Sequence, residues 1–86
     1  QNYPNPFNPV TTISYDIIKD GYVELFIYNS AGKLVNELVA GYKTSGKKLI
    51  NWNGTDQNKN LLPSGLYIYT IKTGEFTSTR KMILIK

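Results

Sequence analysis

The stretch Thr12-Ile13-Ser14-Tyr15-Asp16-Ile17-Ile18-Lys19-Asp20-Gly21-Tyr22-Val23-Glu24-Leu25-Phe26-Ile27 decides the class of fold. Its first half alternates: Ile13, Tyr15 and Ile17 share one side, and Thr12, Ser14 and Asp16 the other. A period of two residues marks a strand with one buried face. Its second half alternates as well, with Val23, Leu25 and Ile27 on one side. A hairpin joining the halves would have a definite register. A two-residue loop at Asp20-Gly21 sets Ile17 opposite Glu24. A three-residue loop, Lys19-Asp20-Gly21, sets Ile17 against Val23, Tyr15 against Leu25 and Ile13 against Ile27. The longer loop keeps the apolar residues on one face, with Gly21 in the left-handed position, and is the expected one.

Working outward, glycine recurs at 21, 32, 41, 46, 54, 65 and 74, near the spacing of a strand-turn-strand chain. β-Branched and aromatic residues dominate the intervals. Residues 33–40 fit a helical stripe (Leu34, Val35, Leu38, Val39) as well as a bulged strand. About two turns between glycines is short for a helix, and the surrounding strands favour a strand. Residues 48–52 read as another strand, with Trp52 as the central core residue. Asn53-Gly54 opens a polar, turn-rich stretch to Asn60. Residues 66–73 are a clear strand, and a turn at Gly74-Glu75 leads to a last strand ending in Met82-Ile83-Leu84-Ile85. Both faces of that end need cover, or it awaits a partner. The fold class expected is all-β: a small antiparallel immunoglobulin-like β-sandwich of six to seven strands, with a closed barrel as the alternative.

Residues 1–10 form a strap ahead of the sandwich, which spans 11–86. Prolines at 4, 6 and 9 exclude a helix and a regular central strand there. Tyr3 and Phe7 are placed to drop onto the core as anchors, which disfavours a proline-rich ligand for a partner. The chain opens at Gln1 without Met and reads as a piece of a longer protein. No signal peptide is visible, and no apolar run approaches the roughly 18 residues of a membrane helix.

The 86 residues contain neither Cys nor His. That excludes disulfides, Cys/His zinc sites and nucleophiles activated by His. A chain this short buries only about 60% of its unfolded surface and has little room for a deep cleft. The net charge of +4 is concentrated in the second half. Those bases are spread out and include one Arg, so nucleic acid is not an expected partner; solubility and strand-edge protection are. The six carboxylates (Asp16, Asp20, Glu24, Glu37, Asp56, Glu75) lie beside turns or on polar strand faces, so no catalytic pair and no catalytic residue is assigned. Asp56-Gln57-Asn58-Lys59-Asn60 spaces oxygen ligands like the start of a calcium loop. Leu61 stands where that loop needs Gly and no closing Glu follows, so a turn is expected, with no metal and no cofactor. Seven Tyr could make a stacking platform, but Tyr67 and Tyr69 share a face and are read as core lining.

The ordered motifs Asn2-Tyr3-Pro4-Asn5-Pro6-Phe7-Asn8-Pro9 with Thr11-Thr12-Ile13, Tyr15-Asp16, Ile27-Tyr28-Asn29 with Gly32, Trp52-Asn53-Gly54-Thr55-Asp56, Pro63-Ser64-Gly65-Leu66-Tyr67 and Phe76-Thr77-Ser78-Thr79-Arg80-Lys81-Met82 cover essentially the whole chain. In this order they resemble type A C-terminal sorting domains of the type IX (Por) secretion system. They are also similar to the related immunoglobulin-like domain of flagellar hook-capping proteins. The resemblance implies a non-catalytic sorting signal that takes an upstream cargo domain from the periplasm through an outer-membrane translocon to the cell surface or the medium, with a surface sorting peptidase as a further partner. It implies translocon recognition by Gly65 and Tyr67, and by Lys81, Met82, Ile83, Leu84, Ile85 and Lys86. An apolar terminal strand is also an edge open to strand addition. The alternative function is a carbohydrate-binding or spacer sandwich appended to a secreted enzyme, and a third is a structural assembly domain of the hook-cap kind.

Overall fold

The structure, a computed structural model, describes residues 1–7, 9–74 and 76–85. Seven strands follow in order: β1 (Asn2–Tyr3), β2 (Thr11–Ile17), β3 (Gly21–Asn29), β4 (Leu34–Lys43), β5 (Gly46–Trp52), β6 (Gly65–Thr73) and β7 (Phe76–Leu84). They form a three-stranded sheet, β1-β2-β5, and a four-stranded sheet, β4-β3-β6-β7. Every strand pair is antiparallel. One core lies between the sheets, so the expected all-β sandwich is the fold and the barrel is not.

The expected hairpin of β2 with β3 does not form. β2 pairs with β1 and β5, whereas β3 pairs with β4 and β6. The alternation was read on the correct residues: Ile13, Tyr15 and Ile17 are buried, as are Val23, Leu25 and Ile27. Edge to edge, the two strands would have put both apolar faces on one side of one sheet, still needing cover. Placed in opposite sheets, both faces enter the same core. The chain passes between the layers over Ile18, Lys19 and Asp20, and the Asp20 carboxylate accepts the Ser45 N–H at 2.6 Å, tying this passage to the β4–β5 connection.

β4 explains its own ambiguous pattern. Pairing with β3 slips twice, so that Leu38 and Val35 stand as extra residues between Val39, Glu37, Asn36 and Leu34. A bulge inserts one residue and turns the following side chains over. Two bulges convert a period of two into spacings of three and four, which is why a bulged strand imitates a helix here.

Trp52 is at the centre of the core, 1% exposed. Its ring meets Phe7 at 5.6 Å and Tyr67 at 5.5 Å between centroids. Its indole N–H donates to the Thr55 carbonyl at 2.9 Å, which satisfies the one polar atom of a buried side chain. Phe7 anchors the strap as expected, but Tyr3 does not: it is 82% exposed. The register Asn2↔Ile13 and Tyr3↔Thr12 turns Asn2 inward and Tyr3 outward. The buried Asn2 amide donates to Thr11 Oγ1 at 3.0 Å and to the Pro4 carbonyl at 3.2 Å, and Thr11 Oγ1 donates to the same carbonyl at 2.8 Å. This polar clamp folds the strap back toward β2.

Candidate functional site

The candidate site is the C-terminal half of β7 and the elements around it. The two-residue hairpin connection sets Thr73 against Phe76, and the pairing runs on to Tyr67↔Met82, Leu66↔Ile83 and Gly65↔Leu84. The Glu75 part of the expected turn lies outside the described residues. Side chains alternate across this ladder. Met82 and Leu84 point inward and are at most 1% exposed; Ile83 is 44% and Ile85 47% exposed, and Lys81 is also exposed. One face of the terminal apolar run is thus covered and the other is not.

The residues assigned by resemblance therefore separate into two groups. Tyr67, Met82 and Leu84 are core residues. The Tyr67 hydroxyl donates to the Pro63 carbonyl at 2.7 Å, closing the loop that leads into β6, and burial pushes its pKa up. Gly65 begins β6 with φ 155°, a conformation that side chains strain. Gly54 (φ 73°) lies where a Cβ would come within 3.2 Å of the Leu84 side chain, so the loop seats directly on the end of β7. Lys81, Ile83 and Ile85 form the second group, which faces outward. Lys86 lies outside the described residues.

The edge of this segment is not free, which corrects the expectation of an unpaired strand. The strap runs along it. Phe7 N–H donates to the Ile83 carbonyl and Ile85 N–H donates to the Phe7 carbonyl, both at 2.9 Å. The Asn5 amide completes the seal: it donates to the Lys81 carbonyl at 3.2 Å and accepts the Ile83 N–H at 2.9 Å. A side-chain amide carries one acceptor and two donors, so Asn5 substitutes for a neighbouring backbone unit. Strand addition at residues 81–85 would require displacement of Asn5 and Phe7. No sequence signal marked Asn5 for this role, because its partners lie 76 and 78 positions away.

The opposite edge of the sheet is closed in a similar way. Gln57 N–H donates to the Val35 carbonyl, the Gln57 side chain accepts the Glu37 N–H, and buried Asn36 donates to the Thr55 carbonyl. The nearby Asp56 carboxylate accepts the N–H groups of Asn58 and Asn60, both at 2.9 Å, and the Asn60 side-chain amide at 3.3 Å. The Asn60 backbone bond is the main influence holding its pKa below the ordinary carboxylate value. Its oxygens are committed to a turn. Among the described residues no three acidic side chains gather where they could hold a metal ion, and no helix is long and apolar enough to cross a membrane.

A two-sheet sandwich of the immunoglobulin-like kind, with the larger sheet's edges capped at residues 81–85 of β7 and 35–37 of β4 by amide side chains and loops, is the class that this geometry defines. The model of the Por secretion-system C-terminal sorting domain matches residues 1–86, and the chain belongs to that family. Three solved structures share the fold. Dimeric latent PorU from Porphyromonas gingivalis is 21% identical with TM-score 0.74, over 99% of this chain and 9% of that one. PorZ, a surface component of the type-IX secretion system of the same bacterium, is 21% identical with TM-score 0.70, over 100% and 11%. FlgD from P. aeruginosa is 22% identical with TM-score 0.66, over 86% and 57%. The chain thus spans about a tenth of PorU and PorZ and little more than half of this FlgD. Among curated proteins none matches.

Proposed function

We propose that this non-catalytic domain carries an upstream cargo domain from the periplasm through the type IX outer-membrane translocon to the cell surface or the medium, where a sorting peptidase acts on it. The family match over residues 1–86 is the observation that carries this reading. Within the assigned set, Lys81, Ile83 and Ile85 offer the readable surface, with Lys86 after them. Gly65, Tyr67, Met82 and Leu84 act by holding that surface in place. For Tyr67, Met82 and Leu84 the division follows from burial, since a side chain in the core is out of a partner's reach in the folded domain; Gly65 is exposed and joins them for its backbone conformation at the start of β6.

The test is a reporter fused ahead of residues 1–86 in a type IX-competent bacterium. The unaltered fusion reaches the surface. The double variant Lys81→Glu with Ile83→Asp loses most surface delivery while its purified domain keeps its unfolding midpoint. Normal delivery after deletion of residues 81–86 would defeat the assignment of these residues.

One observation favours the alternative of a carbohydrate-binding or spacer module. Tyr22 and Tyr42, 57% and 69% exposed, stand opposite each other on the outer face of the larger sheet. Neighbouring exposed rings can stack on a sugar. Glycan titration followed by tyrosine fluorescence addresses it; Trp52 is too buried to report.

A further inference from the structure

The smaller sheet leaves part of β2 without a neighbour on its β1 side. Gln1 and Ser14 exchange both backbone hydrogen bonds: Ser14 N–H to the Gln1 carbonyl at 3.0 Å, and the Gln1 nitrogen to the Ser14 carbonyl at 3.2 Å. In an antiparallel ladder the next residue to use the same side lies two positions on. That residue is Asp16, still within β2. No described residue pairs with its backbone on that side, whereas Tyr15 and Ile17 face β5.

Directly beside this bare edge lies an open groove of about 760 Å³. Tyr15, Val23, Ile71 and Phe76 give it an apolar lining, and Gln1 and Arg80 lie at its wall. The groove exists because the inner face of β7 outruns its cover. Phe76, Ser78 and Arg80 share the inward parity of Met82 and Leu84, yet Phe76 is 58% exposed and Arg80 is exposed. An apolar face beside an unpaired strand edge suits an extended peptide, whose backbone pairs with the edge while its side chains fill the groove.

We propose that this groove receives an extended segment running antiparallel to β2, and that the segment is the polypeptide leading into Gln1 in the parent protein. The occupant follows from register. β1 runs antiparallel to β2, and continuing it backwards from Gln1 carries the chain past Tyr15, Asp16 and Ile17 and into the groove. In the function proposed above, a segment of this kind joins the domain to its cargo. The inference rests on the upstream cargo of that proposed function but not on its sorting route, so its test reads structure and leaves delivery aside. Its consequence is that the linker to the cargo is partly a strand of this domain, and that cutting close to Gln1 would bare the Asp16 end of β2.

Amide hydrogen exchange in the intact parent protein tests it. The Asp16 amide is expected to exchange at least tenfold more slowly than the Leu49 amide, which points away from β2 on the unpaired side of β5. Replacing the four residues before Gln1 with Gly-Pro-Gly-Pro, which cannot extend a strand, should restore fast exchange at Asp16. Ile13 and Tyr15, bonded to β5, should keep their protection in that variant. Hydroxyl-radical labelling of Phe76 gives a second reading, expected to rise severalfold in the same variant. An Asp16 amide as fast as Leu49 in the unaltered parent protein overturns the proposal, whether or not the variant folds.

Discussion

Residues 76–80 and residues 81–85 follow one another along the last strand with one side-chain alternation, yet their surroundings differ. In the second segment the inward residues Met82 and Leu84 are buried in the core, Leu84 against the Gly54 loop, and the outer backbone is bonded to the strap. In the first, the inward positions Phe76, Ser78 and Arg80 look onto an open groove. Alternation assigns a side chain to a face; what lies across from that face decides whether it is buried. One strand can be core at one end and surface at the other.

The sharpest way to break this comparison is to truncate one residue from each setting. Met82→Ala should cost about 2–5 kcal/mol by removing a fully buried side chain. Phe76→Ala should stay within about 1 kcal/mol in the isolated domain, because its ring is 58% exposed. Denaturant unfolding of the two variants decides it, and equal losses would erase the distinction. A smaller effect separates the tyrosines of β6. Tyr67→Phe should lose about 1 kcal/mol with its bond to Pro63. The Tyr69 hydroxyl is buried without a hydrogen-bond partner among the described residues, so Tyr69→Phe should be neutral or stabilising on the same scale. Asn5→Ala removes both bonds to the β7 edge and should cost about 1 kcal/mol, with the Ile83 amide losing protection from hydrogen exchange.

The smallest effect is on pH dependence. The folded-state pKa of Asp56 is lowered, so its contribution to stability is complete above its unfolded value and disappears as pH falls through the folded value. Asp56→Asn should flatten the acid limb of the stability profile slightly and leave the neutral region alone. An acid limb steeper than that of the unaltered domain would show the sign to be wrong.

The terminal segment shows how far a reading of residues reaches. The apolar run at 82–85 and the motif around Gly65 and Tyr67 were visible, and so was the need for something to cover both faces of the run. That Met82 points in and Ile83 out could not be settled without the register across Gly74. That Asn5 substitutes for a neighbouring strand could not be seen at all, since an asparagine between two prolines reads only as turn chemistry. Tyr3 lost its expected anchoring role, and Asn2 is buried instead, for a similar reason: pairing with β2 sets parity, and ring size does not.

By itself, the amino-acid order determined that this protein is built of strands, and which side of β2, β3 and β6 is apolar. Those properties arise from backbone preferences and period-two patterning within a few residues. Only the tertiary structure decided that β2 and β3 belong to different sheets, that β4 bulges twice, that the strap closes the β7 edge, and that a groove remains beside Asp16. Edge pairing depends on backbone groups that every residue carries, so the choice of partner is made by global packing, where two apolar faces cover each other best.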